Sequence, residues 1–260
     1  MLDAEHPRSL CNDQFAKRFM DERGMQIFAP FRSETMPNIS NIVRCYIIDE
    51  AIRSQLIAHP DSLIISIGAG FDTRPYRIKG GEWVEIDEPQ IIEYKNEKLL
   101  IAECTNKLTR ITISFSNQTL DDKLEAYRQH KNIIIVIEGV FMYLENDVIE
   151  VTINQLQTLF PKHILLCDLM KKKMFDQFAQ SVHDKLVEAG ARFTARPENP
   201  AAIFTQHGYV EETCTPMFKK ASELGVLWRK AKIPAPIAKL LFHTIMKNIN
   251  GYAVHQFDYG

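Results

Sequence analysis

Two runs in this chain leave little room for anything but a covered sheet. Leu63–Ile67 (LIISI) and residues 132–138 (NIIIVIE) are short, β-branched and almost wholly apolar. A run of that length without polar alternation suits a strand buried on both faces, as in a parallel sheet with helices on each side. Residues 83–86, 110–115 and 164–167 extend the series, each bounded by turn-forming or acidic residues. Helical patterns separate them. Residues 89–104 open with Pro89 after Asp87 and Glu88, a helix start. Residues 119–129 and 147–160 are amphipathic, and 41–59 carries Ile42, Cys45, Ile48, Ile52 and Leu56 at helical spacing. Strands alternating with helices imply right-handed βαβ units. Residues 209–214 and 252–257 read as two more strands, giving seven, with helices over 217–232 and 236–248 between them.

Composition narrows the class. A 260-residue chain with 45% hydrophobic and 25% charged residues is sized for one large α/β domain or two small ones. The formal charge of −2 offers no basic surplus for nucleic acid. The short Lys171-Lys172-Lys173 run reads as a solvated helix start. The five cysteines, Cys11, Cys45, Cys104, Cys167 and Cys214, are odd in number and far apart in sequence, so neither a disulfide framework nor a CxxC metal site is expected. Cys45, Cys104 and Cys167 lie in apolar segments and read as small buried hydrophobes. With no signal-type apolar core at the start and only strand-sized apolar runs, the expectation is a cytoplasmic protein with no membrane partner.

Function concentrates after the first strand. Gly68-Ala69-Gly70 closes it with a sharp turn, and glycines there let a ligand approach the backbone. The dinucleotide spacing GxGxxG fails, because its third glycine position holds Thr73. The next segment, FDTRPYR, carries Asp72, an acid poorly placed for a pyrophosphate but compatible with an ammonium group. Asp87, ending the second strand about 17 residues past the turn, suits the two hydroxyls of a ribose, or else caps the helix at Pro89.

Three segments together, SIGAGFDTRPYR (66–77), VEIDEPQIIEYK (84–95) and IEGVFMYL (137–144), resemble the signature segments of the leucine carboxyl methyltransferase family, which includes bacterial O-methyltransferases of polyketide-tailoring type. The likeness spans roughly residues 11–167 in matching order. It implies a class I methyltransferase (Rossmann-like) fold: a seven-stranded, mostly parallel sheet with helices on both faces and an antiparallel last strand. It implies S-adenosyl-L-methionine as cofactor and no metal. By that resemblance Arg44 would grip the cofactor's carboxylate, a task suited to a forked guanidinium. Gly68, Ala69 and Gly70 would follow the methionine chain with Asp72 and Arg74 close by. Asp87 and Glu88 would hold the ribose, and Glu138 would flank the methionine end. Where the family usually has an adenine-binding acid, this chain has Ser114 and Phe115. The N-terminus is short for the family, with residues 1–60 expected as a helical cap and Arg8, Lys17 or Arg18 as candidates to close the pocket.

Methyl transfer to oxygen needs alignment, and a hydroxyl acceptor also needs a base. Tyr76 and Tyr143 are the catalytic candidates, on loops expected to face the pocket. His163, His207 and His243 are weaker candidates for a base. The expected partner is a small-molecule methyl acceptor, a carboxylate or a hydroxyl. The helical excursion over 215–250, with Trp228, Phe242 and His243, is a candidate pocket roof or homodimer contact, and the loop over 191–204 a candidate acceptor wall. Two readings compete with a methyltransferase: a cofactor-binding protein without catalysis and a dinucleotide-dependent oxidoreductase.

Overall fold

The computed structural model describes residues 3–188, 190–194, 197–227 and 250–260. Within them the chain runs α1 (Glu22–Phe28), α2 (Thr35–Ala58), β1 (Leu63–Ile67), α3 (Arg74–Arg77), β2 (Glu82–Asp87), α4 (Pro89–Lys98), β3 (Lys107–Thr112), α5 (Leu120–Leu124), β4 (Ile133–Ile137), α6 (Asn146–Leu159), β5 (His163–Met170), α7 (Lys172–Met174), α8 (Gln180–Glu188), α9 (Ala202–Gln206), β6 (Val210–Pro216), α10 (Met217–Glu223) and β7 (Tyr252–Tyr259). The strands form one sheet in the order β3-β2-β1-β4-β5-β7-β6. The first five pair in parallel, while β7 is antiparallel to both β5 and β6. This is the class I methyltransferase arrangement that the sequence implies. The order reverses between β1 and β4, and open α/β sheets bind ligands in the crevice at such a switch point.

The apolar runs are explained by burial on two faces. Leu63, Ile65 and Ile67 of β1, with Ile133, Ile135 and Ile137 of β4, pack under α5 and α6. The alternate residues Ile64, Ile134 and Val136 pack under α2 and α10. On α2 the fully buried positions are Val43, Ile48 and Ile52, with Cys45 only half-buried, so the helix faces the core about one residue away from the expected Ile42–Cys45 stripe.

Three further boundaries depart from expectation. β3 begins at Lys107 and ends at Thr112, three residues earlier than its apolar pattern suggests. It is an edge strand, so its polar residues can stay half-exposed, and Ser114 and Phe115 fall in the turn beyond it. The helix at Pro89 ends at Lys98 and continues as a 3₁₀ turn, Ile101–Glu103. The excursion after α10 falls mostly outside the described residues, which takes in the helix expected over 236–248, Trp228, Phe242 and His243. No helix of the described residues is long and apolar enough to cross a membrane.

His163, buried at the start of β5, shows how the fold depends on pH. Its Nδ1 lies 2.7 Å from the Phe160 carbonyl and its Nε2 2.8 Å from the Tyr209 hydroxyl. A carbonyl only accepts, so Nδ1 carries the proton and Tyr209 donates to Nε2. Burial holds the imidazole down at about 4, against an ordinary 6.5. A depressed folded value gives stability that is complete above the unfolded pKa and is lost as pH falls from about 6.5 toward 4. Urea titrations should therefore show about 2 kcal/mol less stability at pH 5 than at pH 7 from this residue alone. His163→Gln should remove that share of the slope, and an unaltered slope would refute the assignment.

Candidate active site

The turn after β1 is built by glycine. Gly68 has φ +67°, and a Cβ there would lie 2.6 Å from Val140 Cγ2, so a side chain is excluded on two counts. The amides of Gly68 and Ala69 donate to the Ile86 carbonyl, tying the turn to the end of β2. Gly70 has φ +45°, and a Cβ there would meet nothing within 4 Å, so the backbone borders open space. Its amide donates to Asp87 Oδ2 at 2.6 Å, while Asp87 Oδ1 accepts from the Glu88 amide. Two acceptor positions of the Asp87 carboxylate remain for a diol.

Beside this turn lies a cleft of about 290 Å³, lined by the run from Ser66 to Arg74 together with Asp13, Arg44, Cys45, Arg77, Val136 and Glu138. Its wall is a charge network. Arg74, only 2% exposed, meets Asp49 at 2.7 Å, Asp72 at 2.9 Å and Glu138 at 2.7 Å. Arg44 Nε meets Glu138 at 2.8 Å, and its Nη1 reaches Asp168 at 3.1 Å and the Tyr252 hydroxyl at 2.7 Å. Arg77 Nη1 meets Asp49 at 2.5 Å and also donates to the Cys11 carbonyl. Burial pushes the Glu138 and Asp72 carboxyls up, but the guanidiniums beside them outweigh it and hold both below the usual carboxylate range. Arg44, Arg74 and Arg77 thus pair with five carboxylates, Asp13, Asp49, Asp72, Glu138 and Asp168, and Arg53 also approaches Asp49 at 3.8 Å. Arg44 Nη2 carries no hydrogen bond among the described residues. The buried Ser66 Oγ has no partner either.

Across Arg44 the cleft gives way to an apolar cavity of about 450 Å³. Phe28, Phe31, Met36, Met142, Tyr143, Met170, Met174, Phe193, Phe218 and Tyr252 line it, and Arg44 is its only charged side chain among those described. A π-helical turn, Phe175–Ala179, borders it between α7 and α8, and such turns recur at functional sites. Burial raises the Tyr143 hydroxyl's pKa, and that hydroxyl has no hydrogen-bond partner among the described residues.

Of the residues singled out in the sequence, Arg44, Gly68, Ala69, Gly70, Asp72, Arg74 and Glu138 line the cleft. Asp87 sits directly behind Gly70. Glu88, Ser114 and Phe115 gather beyond it: the Phe115 amide donates to Glu88 Oε1 at 3.1 Å, and Ser114 Oγ lies 3.1 Å from Ser116 Oγ. Tyr143 lines the apolar cavity, and Tyr76 lines neither space. The Tyr76 hydroxyl donates to the Leu100 carbonyl and accepts from Arg110, on the far side of β2, and burial raises its pKa to about 12. His163 and His207 bond to backbone carbonyls. None of Arg8, Lys17 and Arg18 lines the cleft. Arg18 pairs with Glu103, and Asp13 is the wall residue from that segment. In the loop expected as an acceptor wall, Phe193 does line the cavity.

Sequence reasoning missed Asp49, Arg77, Asp168 and Tyr252. Asp168 follows a buried run just as Glu138 does, and a charge there demands a partner, which was the available signal. The cysteines also depart from expectation: the sulfurs of Cys11 and Cys45 and a carboxylate oxygen of Asp49 lie within 4.8 Å of one another, and a second such group joins Glu211, Cys214 and His255.

Comparison with known proteins agrees with this fold. Residues 1–157 match the family model described as leucine carboxyl methyltransferase. The chain is similar to the tetracenomycin polyketide synthesis O-methyltransferase TcmP of Streptomyces glaucescens, 25% identical over 146 residues, which are 55% of this chain and 52% of the relative, so the match spans about half of that protein. Its fold is similar to that of a DUF574 family protein from Streptomyces avermitilis (TM-score 0.59, 11% identity, covering 100% of this chain and 99% of that one). It is also similar to the magnesium protoporphyrin IX methyltransferase ChlM of Synechocystis with bound S-adenosylmethionine (TM-score 0.51, 9% identity, 94% and 95% covered).

The network makes a stability prediction. Arg74→Met would leave Asp49, Asp72 and Glu138 short of a buried partner, and denaturant titration should show a loss of about 3–5 kcal/mol. Arg74→Lys should recover only part of it, because one ammonium cannot replace a planar fork. A loss below about 1 kcal/mol for the methionine variant would contradict the role given to Arg74.

Proposed function

Because this chain belongs to the leucine carboxyl methyltransferase family, we propose that it is an S-adenosylmethionine-dependent methyltransferase that methylates an oxygen of a small, largely apolar acceptor, and that this oxygen arrives already ionised, as a carboxylate. The cofactor, when bound, supplies an electrophilic methyl group on a sulfonium. The residues present fit it. The cleft's carboxylates, Asp13, Asp72 and Glu138, suit its ammonium and sulfonium groups. The open edge at Gly70 and the free acceptor positions of Asp87 suit its chain and ribose. Arg44 Nη2 suits its carboxylate, and Ser66 Oγ offers one further donor or acceptor.

The observation that carries the choice of acceptor is the commitment of every nearby acid. At the seam between cleft and cavity, Glu138 is shared by Arg44 and Arg74. Asp168 accepts from Arg44, the Tyr252 hydroxyl and the Gly139 amide. Guanidiniums hold Glu138 below the usual carboxylate range and donors fill the oxygens of Asp168, so among the described residues neither carboxylate at the seam is placed to serve a hydroxyl acceptor as a base. A carboxylate needs none. It needs an apolar cavity to hold its body and Tyr143 to donate a hydrogen bond that orients it. Similarity to an O-methyltransferase of polyketide synthesis supports oxygen as the acceptor atom and a small molecule as the substrate.

An acceptor screen with methyl-labelled cofactor tests this reading. Aromatic and other apolar carboxylic acids should be labelled, and mild base should release the label as methanol, because the product is an ester. Label that survives base would mean a phenol ether and overturn the carboxylate assignment. Tyr143→Phe should lower kcat/KM by about tenfold, the worth of one hydrogen bond, with cofactor affinity unchanged. Asp87→Ala should weaken cofactor binding by about 10- to 100-fold in calorimetric titration while the protein stays folded. Unchanged affinity would remove the ribose assignment.

A further inference from the structure

Two free thiols stand at the cleft wall, and methyl transfer does not use them. Cys11 belongs to the N-terminal segment ahead of α1, and Cys45 to the middle of α2. Their sulfurs lie within 4.8 Å of each other, although 34 residues separate them in sequence. Cys45 and Asp13, two residues past Cys11, both line the cleft wall. The segment is held there by polar contacts: Asp3 gathers the amides of Leu10 and Cys11, and Arg77 donates to the Cys11 carbonyl.

The surroundings of the two thiols favour a redox pair over a metal site. Asp49, the third group within reach, is already bound by Arg74 and Arg77. The Arg77 guanidinium also stands 3.6 Å from Cys45 Sγ, where a second cation would be repelled. Cys45 is half-buried and borders open space, so a small oxidant can reach it, whereas Cys11 is 9% exposed and faces the Ile42 carbonyl. Such an arrangement separates an attacking sulfur from a resolving one.

We propose that Cys11 and Cys45 are a modification site, joined under peroxide by a disulfide that pins the N-terminal segment across the cofactor cleft and slows cofactor exchange. In the first step the Cys45 sulfur attacks hydrogen peroxide. An S–O bond forms, the O–O bond breaks, and the departing hydroxide leaves as water with the thiol proton, giving a sulfenic acid. In the second step the Cys11 sulfur attacks that sulfur, the S–S bond forms, the S–O bond breaks, and a second water leaves with the Cys11 proton. One peroxide is reduced by the two electrons the two thiols give up. The bridge then ties Asp13 to α2, so the wall it completes cannot swing aside to pass a ligand.

The effect on exchange rests on this cleft being the cofactor site, but formation of the bridge does not. The test uses the full chain, reduced and then treated with stoichiometric hydrogen peroxide. Peptide mapping without reductant should find Cys11 linked to Cys45, with two of the five thiols lost to a thiol reagent and recovered with dithiothreitol. Release of S-adenosylhomocysteine should slow by at least about fivefold in the oxidised protein, as expected when opening gates release. Reduced Cys11→Ser should release it at the wild-type rate. On oxidation that variant should stop at a Cys45 sulfenic acid, trapped by a cyclic dione. A bridge through other cysteines, two thiols that survive peroxide, or a Cys11–Cys45 bridge with unchanged release would overturn the proposal. Reduced wild type that fails to bind S-adenosylhomocysteine would instead overturn the cofactor-site reading and leave the mapped bridge standing.

Discussion

The buried guanidinium of Arg74 joins three parts of the chain at one point. Asp49 comes from α2, Asp72 from the glycine turn and Glu138 from the end of β4, and all three carboxylates converge on it. Removing such a charge from water costs several kcal/mol, which only well-formed ion pairs and hydrogen bonds can offset. That requirement makes the arrangement specific. If α2 slid by one turn, or the loop after β1 lost its glycine geometry, an unpaired charge would be left in the interior. The cleft wall is therefore rigid for an electrostatic reason, while the sheet beneath it is rigid through packing.

Arg44 extends this wall and divides the site into two media. On one side lie carboxylates, backbone amides and a buried serine hydroxyl, an environment for a polar, partly cationic ligand. On the other lie methionines, phenylalanines and two tyrosines, an environment for an apolar body. Gly139, at φ +69°, allows the crossing: a Cβ there would stand 3.2 Å from Arg44 Nη2, and its amide holds Asp168 in place to receive Arg44 Nη1. A reaction between a sulfonium methyl and an oxygen anion needs such a boundary, because the donor is stabilised by charge and the acceptor reacts best when stripped of water.

How much of this could be read in advance follows physical lines. β1, β4 and the glycine turn were legible, since burial on both faces and glycine at a sharp turn leave marks on consecutive residues, whereas the antiparallel direction of the last strand followed only from the family resemblance. The edge strand β3 was displaced because half of it is solvated and carries no apolar mark. Arg44, Asp72, Arg74 and Glu138 were recognisable from the motif segments, but their pairing was not: Asp49 lies 25 residues from Arg74 and Asp168 lies 124 from Arg44, and nothing local announces which charge meets which. The same holds for Cys11 and Cys45. Tyr76 looked like Tyr143 in sequence, each beside a signature segment. Only the third dimension sends the Tyr76 hydroxyl to Leu100 and Arg110 while Tyr143 faces the cavity.

The most direct measurement is a crystal structure of the chain with S-adenosylhomocysteine. The account predicts ribose hydroxyls on Asp87, the carboxylate on Arg44 Nη2, and Arg74 still bound to Asp49, Asp72 and Glu138, with the sulfur pointing toward the cavity that Tyr143 lines. A ligand seated elsewhere, or one that binds only by pulling Glu138 away from Arg74, would contradict it.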